Sequence, residues 1–126
     1  MQIEPISTGD APAAIGPYSQ GIRAHGFVYT SGQIPLDPVT GSLVEGSFED
    51  QVHRVFKNLE AILTAAGTSF SRVIKATVYV TNLNNFSMLN TIYASYFGDH
   101  KPARTTIQAS ALPKGGAVEI DLIALA

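Results

Sequence analysis

The amino-acid sequence predicts a two-layer α/β sandwich in which a mixed sheet carries two helices on one face. Two amphipathic segments alternate with stretches rich in β-branched residues, which gives the order ββαβαββ. Right-handed crossovers between strands of one small sheet place both helices on the same side. No repeat, composition shift or long linker divides the chain, so we expect a single domain over residues 1–126.

The first part of the chain has the pattern of a hairpin followed by a loop. The pair His25 and Gly26 stands between YSQGIRA and FVYTSGQ, which is typical of two short strands around a tight turn. The stretch IPLDPVTGSLVEG, residues 34–46, holds two prolines and two glycines and predicts an ordered surface loop.

A helix of about five turns is predicted after this loop. Ser47 and Asp50 form an approximate capping box, and Gly67 occupies the position of a left-handed C-terminal cap. Apolar residues between these ends follow the spacing of one helical face: Phe48, Val52, Val55, Phe56, Leu59, Ile62, Leu63 and Ala66.

A strand and a second helix follow. Alternation in RVIKATVYVT predicts a strand with Ile74, Ala76, Val78 and Val80 on one side. Asn82 or Asn84 is then expected to cap the second helix, and Gly98 to end it. The apolar stripe of this helix consists of Phe86, Leu89, Ile92, Tyr93, Tyr96 and Phe97.

Two further strands complete the chain, ARTTIQA and AVEIDLIALA. Side chains on both sides of the predicted strands are largely apolar, although the predicted helices cover only one face of the sheet. Charged side chains make up only 14% of the chain, where an average domain has about 25%. We therefore expect neighbouring copies of the chain to cover the second face of the sheet.

Several functional classes are disfavoured by composition. The absence of cysteine excludes disulfides, thiol nucleophiles and thiolate-bound zinc, and His25, His53 and His100 are not spaced as metal ligands. A net charge of −2 with scattered lysine and arginine argues against nucleic-acid binding. Ser31 lacks the flanking GxSxG motif of a hydrolase nucleophile, and the chain contains no glycine-rich nucleotide-binding motif. Without a signal peptide or a long apolar run, we expect a cytoplasmic protein.

Two charges stand out because they lie in apolar strands. Arg104 begins one strand and Glu119 lies inside another, and buried charges are costly unless they are paired or used. One interpretation is a salt bridge within the sheet or between subunits. The other is an anion site, in which Arg104 holds a carboxylate and Glu119 orients or deprotonates a water. We interpret Asp121 as a charge that lies in solvent or at an interface.

Nearly the whole chain is covered by a series of distinctive segments: APAAIGPYSQG, YTSGQIPLDPVTG, KATVYVTNLNNF, LNTIYASYF, KPARTT and ALPKGGAVEIDLIA. In order and spacing these segments resemble the YjgF/Rid family, and within it the reactive intermediate deaminase A group. The resemblance implies a chorismate-mutase-like fold and a homotrimer, whose three sheets pack into a central barrel with a cleft at each interface.

The resemblance also implies an activity and its residues. Members of the group hydrolyse 2-iminobutanoate and 2-iminopropanoate, which pyridoxal-phosphate-dependent dehydratases release, to 2-oxo acids and ammonia. No metal or cofactor is implied for the protein itself. Arg104 would clamp the substrate carboxylate, the backbone of Thr106 would bind the imine nitrogen, and Glu119 would orient the water.

Three more positions match the family's pocket: Tyr18, Asn90 and the backbone of Gly32. Well-known members carry cysteine where this chain has Thr106. Because the implied contact uses the backbone, we expect activity to persist, whereas thiol chemistry is excluded. Two alternatives remain: a regulatory module that binds 2-oxo acids without turnover, and RNA cleavage, which is attributed to some members. The acidic pI and the lack of a histidine placed for chemistry on a 2′-hydroxyl argue against RNA cleavage.

Overall fold

Six strands form one layer of the fold and two helices form the other. The computed structural model describes residues 2–126. The helices are α1 (Phe48–Ala65) and α2 (Phe86–Phe97). The strands are β1 (Glu4–Ile6), β2 (Gly21–Ala24), β3 (Phe27–Thr30), β4 (Val73–Val80), β5 (Ala103–Gln108) and β6 (Val118–Leu125). The predicted α/β sandwich is confirmed.

The strands lie in the order β1-β2-β3-β6-β4-β5. The β4–β5 pair is parallel and every other pair in the sheet is antiparallel, so the sheet is mixed as predicted. β1 is not among the predicted strands. This edge strand has only three residues and contains Pro5, so it shows no alternation from which a strand is recognised.

Both ends of α1 are as predicted. The Ser47 hydroxyl accepts a hydrogen bond from the backbone N–H of Asp50, and the Asp50 carboxylate accepts one from the backbone N–H of Ser47, each at 3.2 Å. Gly67 follows the helix with φ +78°, a left-handed conformation that glycine adopts without steric cost. The capping box and the glycine therefore set the length of α1.

The start of α2 differs from the prediction. The Asn82 side chain accepts a hydrogen bond from the backbone N–H of Asn84 and caps a short 3₁₀ turn, Leu83–Asn85. The α-helix begins only after this turn, and its N-cap residue, Asn85, makes no side-chain capping bond. The prediction that Asn82 or Asn84 caps the helix is thus wrong, whereas Gly98 ends it as expected.

One strand prediction is also wrong. The alternation predicts Ile74 on the same side of β4 as Ala76, but Ile74 is exposed and Val73 is fully buried. The pairing of β4 with β6 shifts register between Val73 and Lys75. This irregularity inserts a residue into the strand and reverses the alternation at its first positions.

The core lies between the helices and one face of the sheet. Its largest fully buried side chains come from both layers: Val28, Val52, Val55, Phe56, Leu59, Ile62, Leu63, Val73, Val78, Leu89, Ile120 and Leu122. None of the helices within residues 2–126 combines the length and the apolar character needed to span a membrane.

The opposite face of the sheet, here called the open face, is not covered by either helix. It includes Glu119, Asp121, Ile123 and Leu125 on β6, together with the residues that register pairing aligns with them on the other strands: Ile22, Phe27, Tyr29, Lys75, Thr77, Tyr79, Ala103, Thr105 and Ile107. All of these side chains are exposed or half-buried. The expectation that this chain leaves one sheet face uncovered is confirmed.

Candidate functional site

Arg104 lies on the helix side of the sheet. It pairs with Ala76, which is fully buried beneath the helices. Its guanidinium carbon lies 4.8 Å from the ring centre of Tyr93 and 5.3 Å from that of Phe86, both on α2. These two cation–π contacts hold the guanidinium against two aromatic rings at the edge of the sheet. Its planar donor fork is therefore oriented before any ligand binds.

Three polar side chains near Arg104 have buried atoms without a hydrogen-bond partner among residues 2–126. They are the carbonyl oxygen of Asn90, the hydroxyl of Tyr93 and the hydroxyl of Thr106. Asn90 and Tyr93 share one face of α2, and Thr106 shares a face of β5 with Arg104. A buried polar group left without a partner costs about 1–3 kcal/mol, so such a group within a cluster points to a binding surface. We call Phe86, Asn90, Tyr93, Arg104 and Thr106 the arginine cluster.

The backbone of β5 adds further hydrogen-bonding groups to this cluster. The N–H of Ala109 donates to the carbonyl of Val80 on β4 at 2.8 Å. Because backbone groups of successive strand residues alternate between the two sides, those of Arg104 and Thr106 point away from β4. β5 is an edge strand, so the Thr106 N–H and C=O face its free edge.

Glu119 lies on the open face, where it pairs with Tyr79. Its carboxylate packs directly over Gly32. A Cβ atom added at Gly32 would lie 2.9 Å from the Glu119 carboxyl carbon, closer than real Cβ contacts. Two backbone hydrogen bonds between Gln33 and Ile120, at 2.8 and 3.1 Å, hold the Gly32 segment against β6. The absence of a side chain at Gly32 therefore makes room for the carboxylate.

Glu119 and Gly32 line a cavity of about 520 Å³. We call it the carboxylate cavity, and the residues that line it also include Ile15, Tyr18, Ile34 and Lys114. The segment that carries Tyr18 is fastened by Gln20, which is 4% exposed. The Gln20 amide nitrogen donates to the carbonyls of Thr8 and Pro12, at 3.0 and 2.8 Å, and its oxygen accepts from the N–H of Thr8 at 2.7 Å.

The pKa of the Glu119 carboxyl group is shifted by its surroundings. Partial burial raises the pKa of its carboxyl group above the ordinary value, and the negative charge of Asp121 raises that pKa further. Burial also raises the pKa of Asp121, against the opposing effects of a Thr77 hydrogen bond and the charge of Lys75. A carboxylate with a raised pKa is a stronger base, which suits it to accept a proton from water.

The six residues selected from the sequence thus form two groups. The structure brings Asn90, Arg104 and Thr106 together on the helix side of the sheet. It brings Tyr18, Gly32 and Glu119 together around the carboxylate cavity. β4 separates β5 from β6, so Arg104 and Glu119 are on strands about 10 Å apart and on opposite faces of the sheet. A salt bridge between them within one chain, one of the interpretations from sequence, is excluded.

Residues 2–126 contain no group of three histidine, aspartate or glutamate side chains arranged to hold a metal ion.

Comparison with known proteins identifies the family. The family model described as Endoribonuclease L-PSP, which represents the YjgF/Rid proteins, matches residues 8–126. The chain belongs to the YjgF/Rid family. The crystal structure of the Rid family protein YyfA from Yersinia pestis, a protein of unknown function, superposes with a TM-score of 0.97. It is 50% identical and covers 99% of this chain and 100% of its own.

Two curated relatives of this YjgF/Rid chain are similar over almost their whole length. A RutC family protein of Pyrococcus horikoshii is 50% identical over 121 residues, 96% of each chain. A 2-iminobutanoate/2-iminopropanoate deaminase of Bos taurus is 48% identical over 120 residues, which are 95% of this chain and 88% of the relative.

Three residues at the candidate site of this YjgF/Rid protein are not among those predicted from the sequence. Phe86 and Tyr93 were assigned to the core stripe of the second helix, yet they flank the Arg104 guanidinium. Phe86 and Tyr93 are four and three residues from Asn90, so the sequence itself places these three side chains on one face of the helix. The pattern PKGG is typical of a turn, so it does not indicate that Lys114 lines the cavity.

Proposed function

We propose that this YjgF/Rid protein is a deaminase that hydrolyses 2-iminobutanoate and 2-iminopropanoate to the 2-oxo acids and ammonia. The observation that carries the proposal is the arginine cluster. A guanidinium held against two aromatic rings, close to polar atoms that have no hydrogen-bond partner, is suited to bind a small carboxylate that carries further polar groups. The name of the Bos taurus relative, 48% identical to this chain, supports the same substrates.

We further propose that each site forms between copies of the chain. The arginine cluster and the carboxylate cavity lie on opposite faces of one sheet, so one chain cannot present both to the same small substrate. An uncovered sheet face and a free β5 edge offer surfaces through which copies can associate. In a homotrimer, the arginine cluster of one subunit would meet the carboxylate cavity of the next.

In the proposed reaction, Arg104 binds the substrate carboxylate through two parallel hydrogen bonds. The free backbone of Thr106 holds the imine nitrogen. Glu119 takes a proton from a water as the water oxygen bonds to the imine carbon, which gives a tetrahedral carbinolamine. Glu119 then returns the proton to the nitrogen. As the carbon–nitrogen bond breaks and ammonia leaves, the hydroxyl group of the carbinolamine gives its proton to Glu119 and becomes the carbonyl of the 2-oxo acid. Imines are already electrophilic, so orientation and one base are sufficient.

A dehydratase-coupled assay tests the proposed function. Threonine is fed to a threonine dehydratase in the presence of semicarbazide, which traps the released imine. We expect this protein to lower the amount of trapped imine in proportion to its concentration, because hydrolysis competes with trapping. Unchanged trapping at every protein concentration would contradict the deaminase proposal. Thermal stabilisation by 2-oxobutanoate without any effect on trapping would support the non-catalytic binding module instead.

Gly32→Ala will lower kcat about tenfold or more with little change in KM. The added methyl group would overlap the Glu119 carboxyl group and force it away from its position, whereas Arg104 is untouched. Imine hydrolysis and the melting temperature are the measurements. Gly9→Ala is the matched control, because a Cβ at Gly9 meets no atom within 4 Å. A normal kcat for Gly32→Ala would show that the position of Glu119 does not matter.

In the pH profile of kcat/KM, the fall on the acid side, the acid limb, will have an apparent pKa above the ordinary glutamate value of about 4.3. The reason is that Glu119, whose pKa is raised, must be ionised to accept a proton. Asp121 contributes to the raised pKa of Glu119, so Asp121→Asn should move this limb to lower pH. The rate of uncatalysed hydrolysis is subtracted at each pH. An acid limb that does not move in Asp121→Asn would contradict the assignment of Glu119 as the base.

The same pKa shifts affect stability with a definite sign. In the folded chain the pKa of Glu119 and of Asp121 is higher than in the unfolded chain. The folded state therefore binds these protons more tightly, and their contribution is fully present below the unfolded pKa values. It is lost as pH rises through the folded values, so the free energy of unfolding falls across that interval.

A further inference from the structure

Lys114 has a backbone conformation that is unusual for its residue type. Its φ and ψ are +58° and +17°, within the left-handed region. It occupies the third position of the turn from Leu112 to Gly115, which a hydrogen bond from the Gly115 N–H to the Leu112 carbonyl closes at 3.2 Å. A turn of this kind prefers glycine or asparagine there. The backbone conformation alone would therefore favour glycine or asparagine over lysine at position 114.

The position of this side chain suggests what it does. Lys114 lines the carboxylate cavity together with Glu119 and Tyr18. Among the described residues that line the cavity, Lys114 is the only one with a positive charge. Its ammonium forms no salt bridge or side-chain hydrogen bond with residues 2–126, so no internal contact explains it. It is an unpaired cation beside a cavity that carries a carboxylate.

The substrate of the proposed reaction is an anion, and it must approach this carboxylate. Glu119 is ionised when it acts as a base, and two like charges in a partly buried site repel each other. Arg104 contributes positive charge from the other half of the site. Lys114 supplies positive charge to the carboxylate cavity itself, where it can attract the substrate anion.

We propose that Lys114 is a substrate-binding residue, whose ammonium attracts the 2-imino acid anion and holds it beside Glu119. This inference rests on the proposed function. It makes the site selective for anionic imines over neutral ones, since only an anion gains from the second cation. It also accounts for a lysine at a turn position where glycine would fit with less strain.

The test compares variants of Lys114 in the full-length protein. Lys114→Gln keeps the side-chain length and removes the charge, so KM should rise about three- to tenfold while kcat changes little. Lys114→Arg keeps the charge and should retain a KM close to that of the wild type. Lys57→Gln is the matched control, because Lys57 lies on α1 outside both halves of the site and should leave KM unchanged.

Lys114→Gly separates binding from a purely structural role. Glycine relieves the left-handed strain, so the melting temperature should not fall, yet KM should rise as it does in Lys114→Gln. Added salt should raise KM of the wild type more than that of either uncharged variant, because salt screens the attraction. Wild-type KM values and salt dependence in both uncharged variants would overturn the inference.

Failure of the proposed function can be distinguished from failure of this inference. If the wild-type protein does not accelerate imine loss, the deaminase proposal falls, and calorimetric binding of 2-oxobutanoate then decides the role of Lys114. Weaker binding by Lys114→Gln than by the wild type supports an anion-binding role. Equal binding, or no binding by either protein, overturns it.

Discussion

Replacing Arg104 with alanine is expected to reduce kcat/KM for 2-iminobutanoate by about 30-fold or more, because truncating one partner of a charge pair that becomes buried when the substrate binds costs about 2–5 kcal/mol. The guanidinium is the only group of the arginine cluster that carries a charge. Its loss leaves the substrate carboxylate without a bidentate partner. The rate of imine hydrolysis in the dehydratase-coupled assay measures this effect directly.

The fold should tolerate the Arg104→Ala change. Two cation–π contacts with Phe86 and Tyr93 disappear, each worth about 0.5–1 kcal/mol when exposed to solvent. The melting temperature and the size of the assembly in solution should therefore stay close to those of the wild type. Arg104→Lys is the informative partner variant, because it keeps the charge and loses the planar fork.

Intermediate activity of Arg104→Lys would support bidentate recognition of a carboxylate. Full activity of Arg104→Lys would reduce the role of Arg104 to a point charge. Full activity of Arg104→Ala would show that the substrate carboxylate binds elsewhere and would remove the basis of the proposed function.

The elements of this fold could be predicted where local chemistry decides them. The capping box at Ser47 and the glycines at positions 67 and 98 act over a few residues, and their signals are visible in the sequence. The β4 irregularity at Val73 was not predictable, because it depends on how β4 pairs with β6, which lies far away in the chain. The short strand β1 likewise exists only through its pairing with β2.

The candidate site was likewise predictable only where local sequence decides it. Arg104 and Glu119 could be selected from the sequence because each charge interrupts an apolar strand. The faces on which they lie depend on the register of β5 against β4 and of β4 against β6. Alternation within one strand fixes only which of its own residues share a side. The two charges therefore looked like potential partners, although the sheet separates them.

The separation of the two halves leads to a second prediction with a large effect. Arg104→Ala and Glu119→Gln should each inactivate the protein when present alone, whereas assemblies that contain both kinds of chain should recover activity. In a mixed assembly, a Glu119→Gln chain can supply an intact Arg104 and an Arg104→Ala chain an intact Glu119. Co-expression with two different affinity tags and purification through both isolates these mixed assemblies.

The amount of recovered activity measures the geometry of the assembly. In a ring of three with one site at each interface, any mixture of the two chains creates one intact site, so activity should be about one third of wild type. A two-fold dimer with two equivalent sites would give about half. A site built within one chain would give no recovery, since every chain then carries a damaged site. Recovery near one third would thus support both the shared site and the homotrimer, because only an assembly that joins opposite sheet faces of different copies can bring Arg104 to Glu119.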